Sequence, residues 1–270
     1  MDYIQLFFEN ISYEQASILI AKLSEAGYEG FEENEDGLKA FIPSDSFDEM
    51  LVNELAKEMN IHFSKTVVQE TNWNEIWESN FHPVVVDEFV GIRAGFHDPF
   101  KNVEHEIVIT PKMSFGTGHH ATTYMMIAQM KEIDFTGKSV FDFGTGTGIL
   151  AILAEKLGAS EIFAIDHDDW SIENAKENIS NNHCSDIIVE KADTALKNRV
   201  FDVILANINK NVILDNFSLL TKQLAPGGVL VLSGLLKDDE TDIQRKTGEY
   251  GLKSVIRLER HNWLCLSLSY

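Results

Sequence analysis

Three glycines alternate along a short segment of the chain, at Gly144, Gly146 and Gly148. An apolar segment, Val140–Phe143, precedes them, and an Ala-rich apolar segment, Ile149–Leu157, follows. This order is typical of a strand, a glycine turn and a helix. Glycines let the backbone approach a ligand without a Cβ in the way, and a helix N-terminus offers free N–H groups behind them. We therefore expect a nucleotide-like ligand at this turn.

Two acidic residues accompany the glycines: Asp142 lies two residues before Gly144, and Asp166 lies 22 residues after it. Asp166 ends a second predicted strand, Glu161–Ile165, where its carboxylate can accept hydrogen bonds from ribose hydroxyls. The spacing G-x-G-x-G differs from the G-x-G-x-x-G fingerprint of dinucleotide-binding proteins. A dehydrogenase stays open as an alternative, because Asp166 would suit NAD equally well. A tight turn that serves packing alone is the structural alternative.

Two further polar residues follow predicted strands. Asn207 ends the apolar segment Phe201–Asn207, which places its side chain at the ligand crevice of an open α/β sheet. Asparagine is also common turn chemistry at the end of a strand. Asp193 follows the predicted strand Ile187–Lys191 and is either a contact for a nucleotide base or an ordinary surface residue.

A second glycine-containing loop, Pro111–Thr123, comes before the glycine turn in the chain. Gly116 and Gly118 lie close to two hydroxyl residues, Thr122 and Thr123, and a predicted helix follows to about residue 130. Such a loop can close over a ligand bound at the glycine turn. We interpret it as a lid.

Neither the adjacent histidines nor the two cysteines form a metal-binding pattern. His119 and His120 are adjacent, so their side chains would point apart on a regular element, and no carboxylate or cysteine lies near them in the sequence. We therefore expect no metal site. Cys184 and Cys265 form no CxxC pair, which argues against a disulfide framework and a thiolate zinc site.

The net charge of the chain is −21, from 22 basic and 43 acidic residues. This charge disfavours direct binding to nucleic acid, whose phosphates need basic partners. It serves either solubility alone or the attraction of a basic macromolecule. The sequence shows no apolar run of the length that spans a bilayer and no signal-peptide pattern at its start, so we expect a cytoplasmic protein.

The first 70 residues predict a small α+β domain of order β-α-β-β-α-β, the ferredoxin-like pattern. The predicted elements are Tyr3–Phe8, Tyr13–Ala26, Tyr28–Glu33, Leu38–Ile42, Ser46–Glu58 and Ile61–Gln69. Ser12 and Gln15 predict a capping box at the start of the first helix. Because the segment contains no set of catalytic residues, we interpret residues 1–70 as a substrate-recognition domain.

A linker helix is predicted for residues 71–83. Trp73, Trp77 and Phe81 recur every four residues and share one face, which either packs on a neighbouring domain or forms an exposed platform. From Lys138 onward, strands and helices alternate, which predicts a mostly parallel sheet that has seven strands with the final pair. We assign residues 84–270 to this Rossmann-like domain. The other predicted elements are Val84–Val86, Val90–Arg93, Glu106–Thr110, Ser139–Phe143, a helix capped by Asp168 or Asp169, Val229–Ser233, Asp239–Tyr250, Lys253–Glu259 and Trp263–Ser269.

Four motifs together resemble one family. They are S-F-G-T-G-H-H-A-T-T (Ser114–Thr123), D-F-G-T-G-T-G-I-L (Asp142–Leu150), A-I-D-H-D (Ala164–Asp168) and A-N-I (Ala206–Ile208). The glycine loop and Asp166 resemble the Class I S-adenosylmethionine-dependent methyltransferases. The threonine-rich loop is the most specific part, and with it the whole chain resembles the bacterial ribosomal protein L-eleven (L11) methyltransferases.

The resemblance implies an enzyme that uses S-adenosyl-L-methionine, releases S-adenosyl-L-homocysteine, and methylates lysine side chains and the N-terminal amine of L11, free or at the stalk base of the ribosome. It implies cofactor contacts at Phe115, Thr122, Thr123, Gly144, Gly146, Asp166 and Asn207. Asn207 would also be the catalytic residue, since its carbonyl oxygen would accept a hydrogen bond from the attacking nitrogen. Asp193 would meet the adenine amino group.

This chain departs from the family pattern at two places. Thr145-Gly146-Thr147 stands where Cys-Gly-Ser is common, and His119-His120-Ala121 stands where Thr-His-Pro is common. Two other classes stay open. One is a methyltransferase acting on another protein, a small-molecule amine or nucleic acid, and the other is a non-catalytic binding module that retains the fold.

Overall fold

The computed structural model describes residues 2–34, 36–68, 82–112 and 118–270. The chain divides into two compact units, Met1–Asn80 and Phe81–Tyr270. Most of the predicted linker helix, including Trp73, Trp77 and Phe81, lies outside the described residues. Within the described part, no helix is long and apolar enough to cross a membrane.

The described residues of the first unit form an antiparallel sheet and two α-helices. Its elements are β1 (Tyr3–Glu9), α1 (Tyr13–Glu25), β2 (Gly30–Asn34), β3 (Gly37–Pro43), a 3₁₀ turn (Ser44–Ser46), α2 (Glu49–Glu58) and β4 (Phe63–Val68). The strand order is β2-β3-β1-β4. Alternate residues of β1, such as Leu6 and Phe8, are buried with Leu19 of α1 and Val52 of α2 in a single core. Both helices therefore cover the same face of the sheet.

Capping side chains set the starts of these helices. The predicted capping box is confirmed, because Ser12 accepts from the N–H of Gln15 and the Gln15 side chain accepts from the N–H of Ser12. The predicted start of the second helix at Ser46 is wrong. Asp48 accepts from the N–H groups of Met50 and the next residue, so the helix begins only after Asp48.

The second unit contains two sheets. The smaller one has the order β5 (Val84–Val86), β6 (Val90–Ala94), β7 (His105–Ile109). The larger one has seven strands: β8 (Ser139–Phe143), β9 (Glu161–Asp166), β10 (Ile187–Lys191), β11 (Phe201–Asn207), β12 (Leu224–Leu236), β13 (Lys253–Arg260) and β14 (Trp263–Ser269). Their order in the sheet is β10-β9-β8-β11-β12-β14-β13. All neighbours in it are parallel except those of β14.

Five helices accompany these sheets: α3 (Ala121–Lys131), α4 (Ile149–Lys156), α5 (Asp169–Asn181), α6 (Lys210–Lys222) and α7 (Glu240–Glu249). The sequence patterns did not predict α6. Its residues Ile213 and Phe217 are buried in the core of the large sheet. Strand β12 also begins earlier than predicted and runs through Pro226-Gly227-Gly228, because Phe201 pairs with Leu224 before the register shifts. The mostly parallel α/β architecture is confirmed.

Strand β8 is the point at which the order of strands in the sheet switches from one side to the other. The next strand, β9, pairs on one side of β8, whereas β11 pairs on the other. Phe143 is the partner of Ile165 and of Ala206, so the carboxyl ends of these three strands are level. Loops diverge at such a switch point and leave a crevice that binds ligands in open α/β sheets.

Candidate functional site

The crevice collects residues that are far apart in the sequence. Gly144, Asp166 and Asn207 each follow or end one of the three strands whose ends are level. The fold therefore brings the glycine loop and two predicted site residues to one edge of the sheet.

The glycine loop uses left-handed backbone conformations and satisfies its own N–H groups. The φ angles of Gly144, Gly146 and Gly148 are 79°, 53° and 81°. The N–H groups of Gly144 and Thr145 both donate to the carbonyl of Ile165, each at 2.9 Å. The N–H of Gly146 donates to Oδ2 of Asp166 at 2.9 Å. The end of strand β9 therefore takes up the N–H groups of these three loop residues.

Asp166 is a structural anchor as well as a candidate ligand contact. It is 8% exposed, and while its Oδ2 holds Gly146, its Oδ1 accepts from the N–H of Asp168 at 3.2 Å and lies 3.3 Å from Nδ1 of His167. A carboxylate has about four lone-pair sites, so it can hold the loop and still accept a hydroxyl. Asp168 caps α5, which begins directly after it.

A second carboxyl group is buried beneath the same loop. Asp142 is fully buried, and its Oδ2 accepts from Oγ1 of Thr145 at 2.6 Å. Burial raises the pKa of Asp142 to about 7, and the negative charge of Asp166 adds to this rise. The hydrogen bond from Thr145 acts in the opposite direction on the pKa.

Asn207 has one half of its amide engaged and the other half available. Its Nδ2 donates to Oγ1 of Thr123 at 3.3 Å, a contact between residues 84 positions apart. Thr123 is 1% exposed in the first turn of α3 and therefore holds the amide in one orientation. The Oδ1 of Asn207 is buried and has no hydrogen-bond partner among the described residues. A buried acceptor without a donor is rare in folded proteins, which makes this oxygen a candidate ligand contact.

The other threonine of the pair has a different environment. Oγ1 of Thr122 lies 2.7 Å from Nδ1 of His120, the residue that caps α3. Burial lowers the pKa of His120 to about 4, so this imidazole is neutral at pH 7. Its ring packs edge-on against the ring of Trp263, with 4.6 Å between the two ring centroids. Thr122 and His120 thus stabilise the start of the helix that carries Thr123.

The predicted cofactor contact Phe115 belongs to residues 113–117, which lie outside the described residues.

The two adjacent histidines are His119 and the helix cap His120. Burial lowers the pKa of His119. Over the ranges that the structure describes, no three His, Cys, Asp or Glu side chains are grouped so that they could hold a metal ion.

Sequence patterns missed two residues beside the glycine loop. A Cβ on Gly144 would lie 2.1 Å from Cγ2 of Ile208, so the residue after Asn207 sets how close the loop comes. Asn178 of α5 donates to the carbonyl of Thr147 at 2.8 Å. Ile208 stands in the motif Ala206–Ile208, but no packing role was predicted for it, whereas the four-residue spacing of Asn178 from Asn174 and Asn182 was visible in the sequence.

The seven-stranded sheet with one antiparallel strand, the glycine loop after β8 and the acidic end of β9 define a Class I methyltransferase. The comparisons with known proteins name the family. The sequence profile described as "Ribosomal protein L11 methyltransferase (PrmA)" matches residues 9–270, and the chain therefore belongs to that family.

Individual relatives agree with this assignment. The chain is 38% identical over 273 residues to a ribosomal protein L11 methyltransferase of Phocaeicola vulgatus, covering 97% of each chain. It is 39% identical over 281 residues to a protein of the same name from Porphyromonas gingivalis, covering 98% of this chain and 97% of that one. A crystal structure titled ribosomal protein L11 methylase, from Lactobacillus delbrueckii subsp. bulgaricus, matches with a TM-score of 0.66 and 29% identity, covering 70% of this chain and 98% of that one.

Proposed function

We propose that the protein transfers methyl groups from S-adenosyl-L-methionine to amine nitrogens of ribosomal protein L11, at lysine side chains and at the N-terminal amine. The observation that carries the chemistry is the buried Oδ1 of Asn207, an acceptor without a donor at the end of β11. The names of the relatives support the substrate. We propose further that L11 is met free or at the stalk base, in the cytoplasm and without direct contact to nucleic acid.

The residues of the crevice fit this cofactor. The molecule carries a ribose diol and an ammonium group, and it has no phosphate. Asp166 offers a carboxylate for the diol, and the N–H groups of Gly144, Thr145 and Gly146 are already bonded to the end of β9. A loop with free N–H groups would suit a phosphate instead. When bound, the cofactor supplies an electrophilic methyl group on a positively charged sulfur.

Asn207 orients the amine. Because the Nδ2 of Asn207 donates to Thr123, its Oδ1 is left as an acceptor and can take a hydrogen bond from one N–H of the substrate nitrogen. That hydrogen bond fixes where the nitrogen lone pair points, and alignment of this kind lowers the barrier of a displacement. A lysine amine is protonated at neutral pH and an amide cannot remove the proton, so we propose that the proton leaves to water before transfer.

The remaining parts have supporting roles in this proposal. Phe115 and Thr122 belong to a lid over the cofactor, and Asp193 meets the adenine amino group. Residues 1–70 recognise L11, residues 71–83 link the two domains, and residues 84–270 form the catalytic domain. The charge of −21 attracts a substrate whose methylated groups are cationic.

Substitution of Asn207 tests the proposal. Asn207→Ala should raise the activation free energy of methyl transfer by about 2–4 kcal/mol, because it removes one preorganised polar contact. The measurement is the single-turnover rate at saturating cofactor. Cofactor affinity should change much less, since the contact is realised mainly in the transition state. Asn207→Asp keeps the acceptor but adds a negative charge near the sulfonium, which should tighten cofactor binding and slow the transfer.

A control residue lies two positions further on. Asn209 caps α6 by accepting from the N–H of Val212, so Asn209→Ala should cost stability and leave the rate of methyl transfer unchanged. The substrate is tested with labelled S-adenosylmethionine and a mixture of ribosomal proteins, where L11 should take the label. Transfer by Asn207→Ala at the wild-type rate would reduce Asn207 to turn chemistry, and label on another protein would reject L11.

A further inference from the structure

Helix α5 and its C-cap residue, Asn182, present three asparagines to the end of β7. Asn174, Asn178 and Asn182 recur every four residues, so they share one face, and all three are buried. Asn182 accepts from the N–H of Val108 at 2.9 Å and donates to its carbonyl at 2.6 Å. Asn174 donates to the carbonyl of Thr110 at 3.2 Å. Side-chain amides thus replace a neighbouring strand along this segment.

Asn178 is the one of the three asparagines that is also bonded to the glycine loop. Its Oδ1 accepts from the N–H of Thr110 at 2.7 Å, and its Nδ2 donates to the carbonyl of Thr147 at 2.8 Å. The side chain is fully buried, so neither contact competes with water. A Cβ on Gly148 would lie 3.3 Å from the Cβ of Ala175, which shows how closely the loop packs on the same helix.

The two segments that Asn178 joins follow strands of different sheets. Thr147 lies between the glycines that follow β8, and Thr110 follows β7. The helix itself begins at Asp169, directly after the Asp168 cap. A single amide therefore ties the glycine loop to a strand of the smaller sheet.

We propose that Asn178 is a positioning residue for cofactor binding: its amide holds the glycine loop in register with the end of β7. This inference rests on the proposed function, since it concerns the site for the same cofactor. Asn178 acts through the carbonyl of Thr147 and through Thr110, and it touches no reacting atom.

The test compares two matched variants of the full chain. Asn178→Ala and Asn182→Ala remove the same atoms. The first releases Thr110, directly after β7, together with the glycine loop, whereas the second releases only Val108 of β7. Asn178→Ala should weaken binding of S-adenosylmethionine about tenfold by calorimetry and raise its KM by a similar factor. The kcat at saturating cofactor should stay within about threefold of the wild type. Asn182→Ala should lose comparable stability against urea and keep its cofactor affinity within about twofold.

Unchanged affinity in Asn178→Ala, or an equal loss in Asn182→Ala, would overturn the inference. If Asn178→Ala does not fold, hydrogen exchange in the wild type decides: cofactor should slow exchange in residues 105–110 as well as in 144–148, and protection confined to 144–148 would reject the coupling. A wild-type chain that binds no cofactor rejects the proposed function together with this inference. Normal wild-type binding with an unaffected Asn178→Ala rejects the inference alone.

Discussion

Replacement of Gly144 by alanine should disturb both the glycine loop and the neighbour of Asn207. The φ angle of Gly144 is 79°, a region that costs an L-residue about 1–2 kcal/mol. The new Cβ would lie 2.1 Å from Cγ2 of Ile208, far inside van der Waals contact. Ile208 packs against the core of the large sheet, so it cannot simply turn away. Overpacking of this kind costs about 1–3 kcal/mol.

The total cost should therefore be about 2–5 kcal/mol in the free energy of unfolding, a large share of the stability of an ordinary domain. Gly137→Ala provides the matched control. Gly137 has a φ of 68°, and a Cβ there would meet nothing within 4 Å, so this variant experiences only the backbone cost of about 1–2 kcal/mol. The difference between the two variants isolates the overlap with Ile208.

A double-mutant cycle checks the origin of the effect. Ile208→Ala removes Cγ2 and should cost about 1–3 kcal/mol by itself, because Ile208 is only partly buried. Combined with Gly144→Ala it should recover about 1–3 kcal/mol relative to the sum of the single variants. Urea denaturation measures all four proteins, and calorimetry measures their affinity for S-adenosylmethionine. Equal costs for Gly144→Ala and Gly137→Ala, or additive behaviour of the pair, would refute the reasoning.

Three more predictions follow from the same site. Burial raises the pKa of Asp142 to about 7 in the folded protein, whereas the unfolded chain has the ordinary low pKa of an aspartate, so the folded state binds more protons between these two values. The free energy of unfolding should therefore fall by about 2–3 kcal/mol from pH 5 to pH 8. Urea denaturation measures this slope, and Asp142→Asn should abolish it. Asp166→Ala should weaken binding of S-adenosylmethionine by about 1–3 kcal/mol, and an unchanged calorimetric affinity would remove Asp166 from the site. A fragment of residues 71–270 should keep cofactor affinity but stop methylating L11, so full activity of that fragment on L11 would refute the recognition role of residues 1–70.

Local patterns in the sequence determined the elements that carry the site. The bounds of β8, β9 and β11 agree with the predicted Ser139–Phe143, Glu161–Asp166 and Phe201–Asn207. Each is an apolar run that ends in glycine, acid or amide, and burial on both faces of a parallel sheet requires such runs. The capping box of Ser12 is equally local, because both partners lie within one helical turn.

Tertiary structure decided what these residues do to one another. The bond between Asn207 and Thr123, the limit that Ile208 places on Gly144, and the bridge made by Asn178 all join residues that are remote in the chain or on separate elements. The use of the loop N–H groups by β9 belongs with them. Periodicity and turn chemistry act over a few residues, whereas these contacts depend on which strands are neighbours and on where their ends come level. Only the packed fold sets that, and it leaves the Oδ1 of Asn207 buried without a hydrogen-bond donor among the described residues.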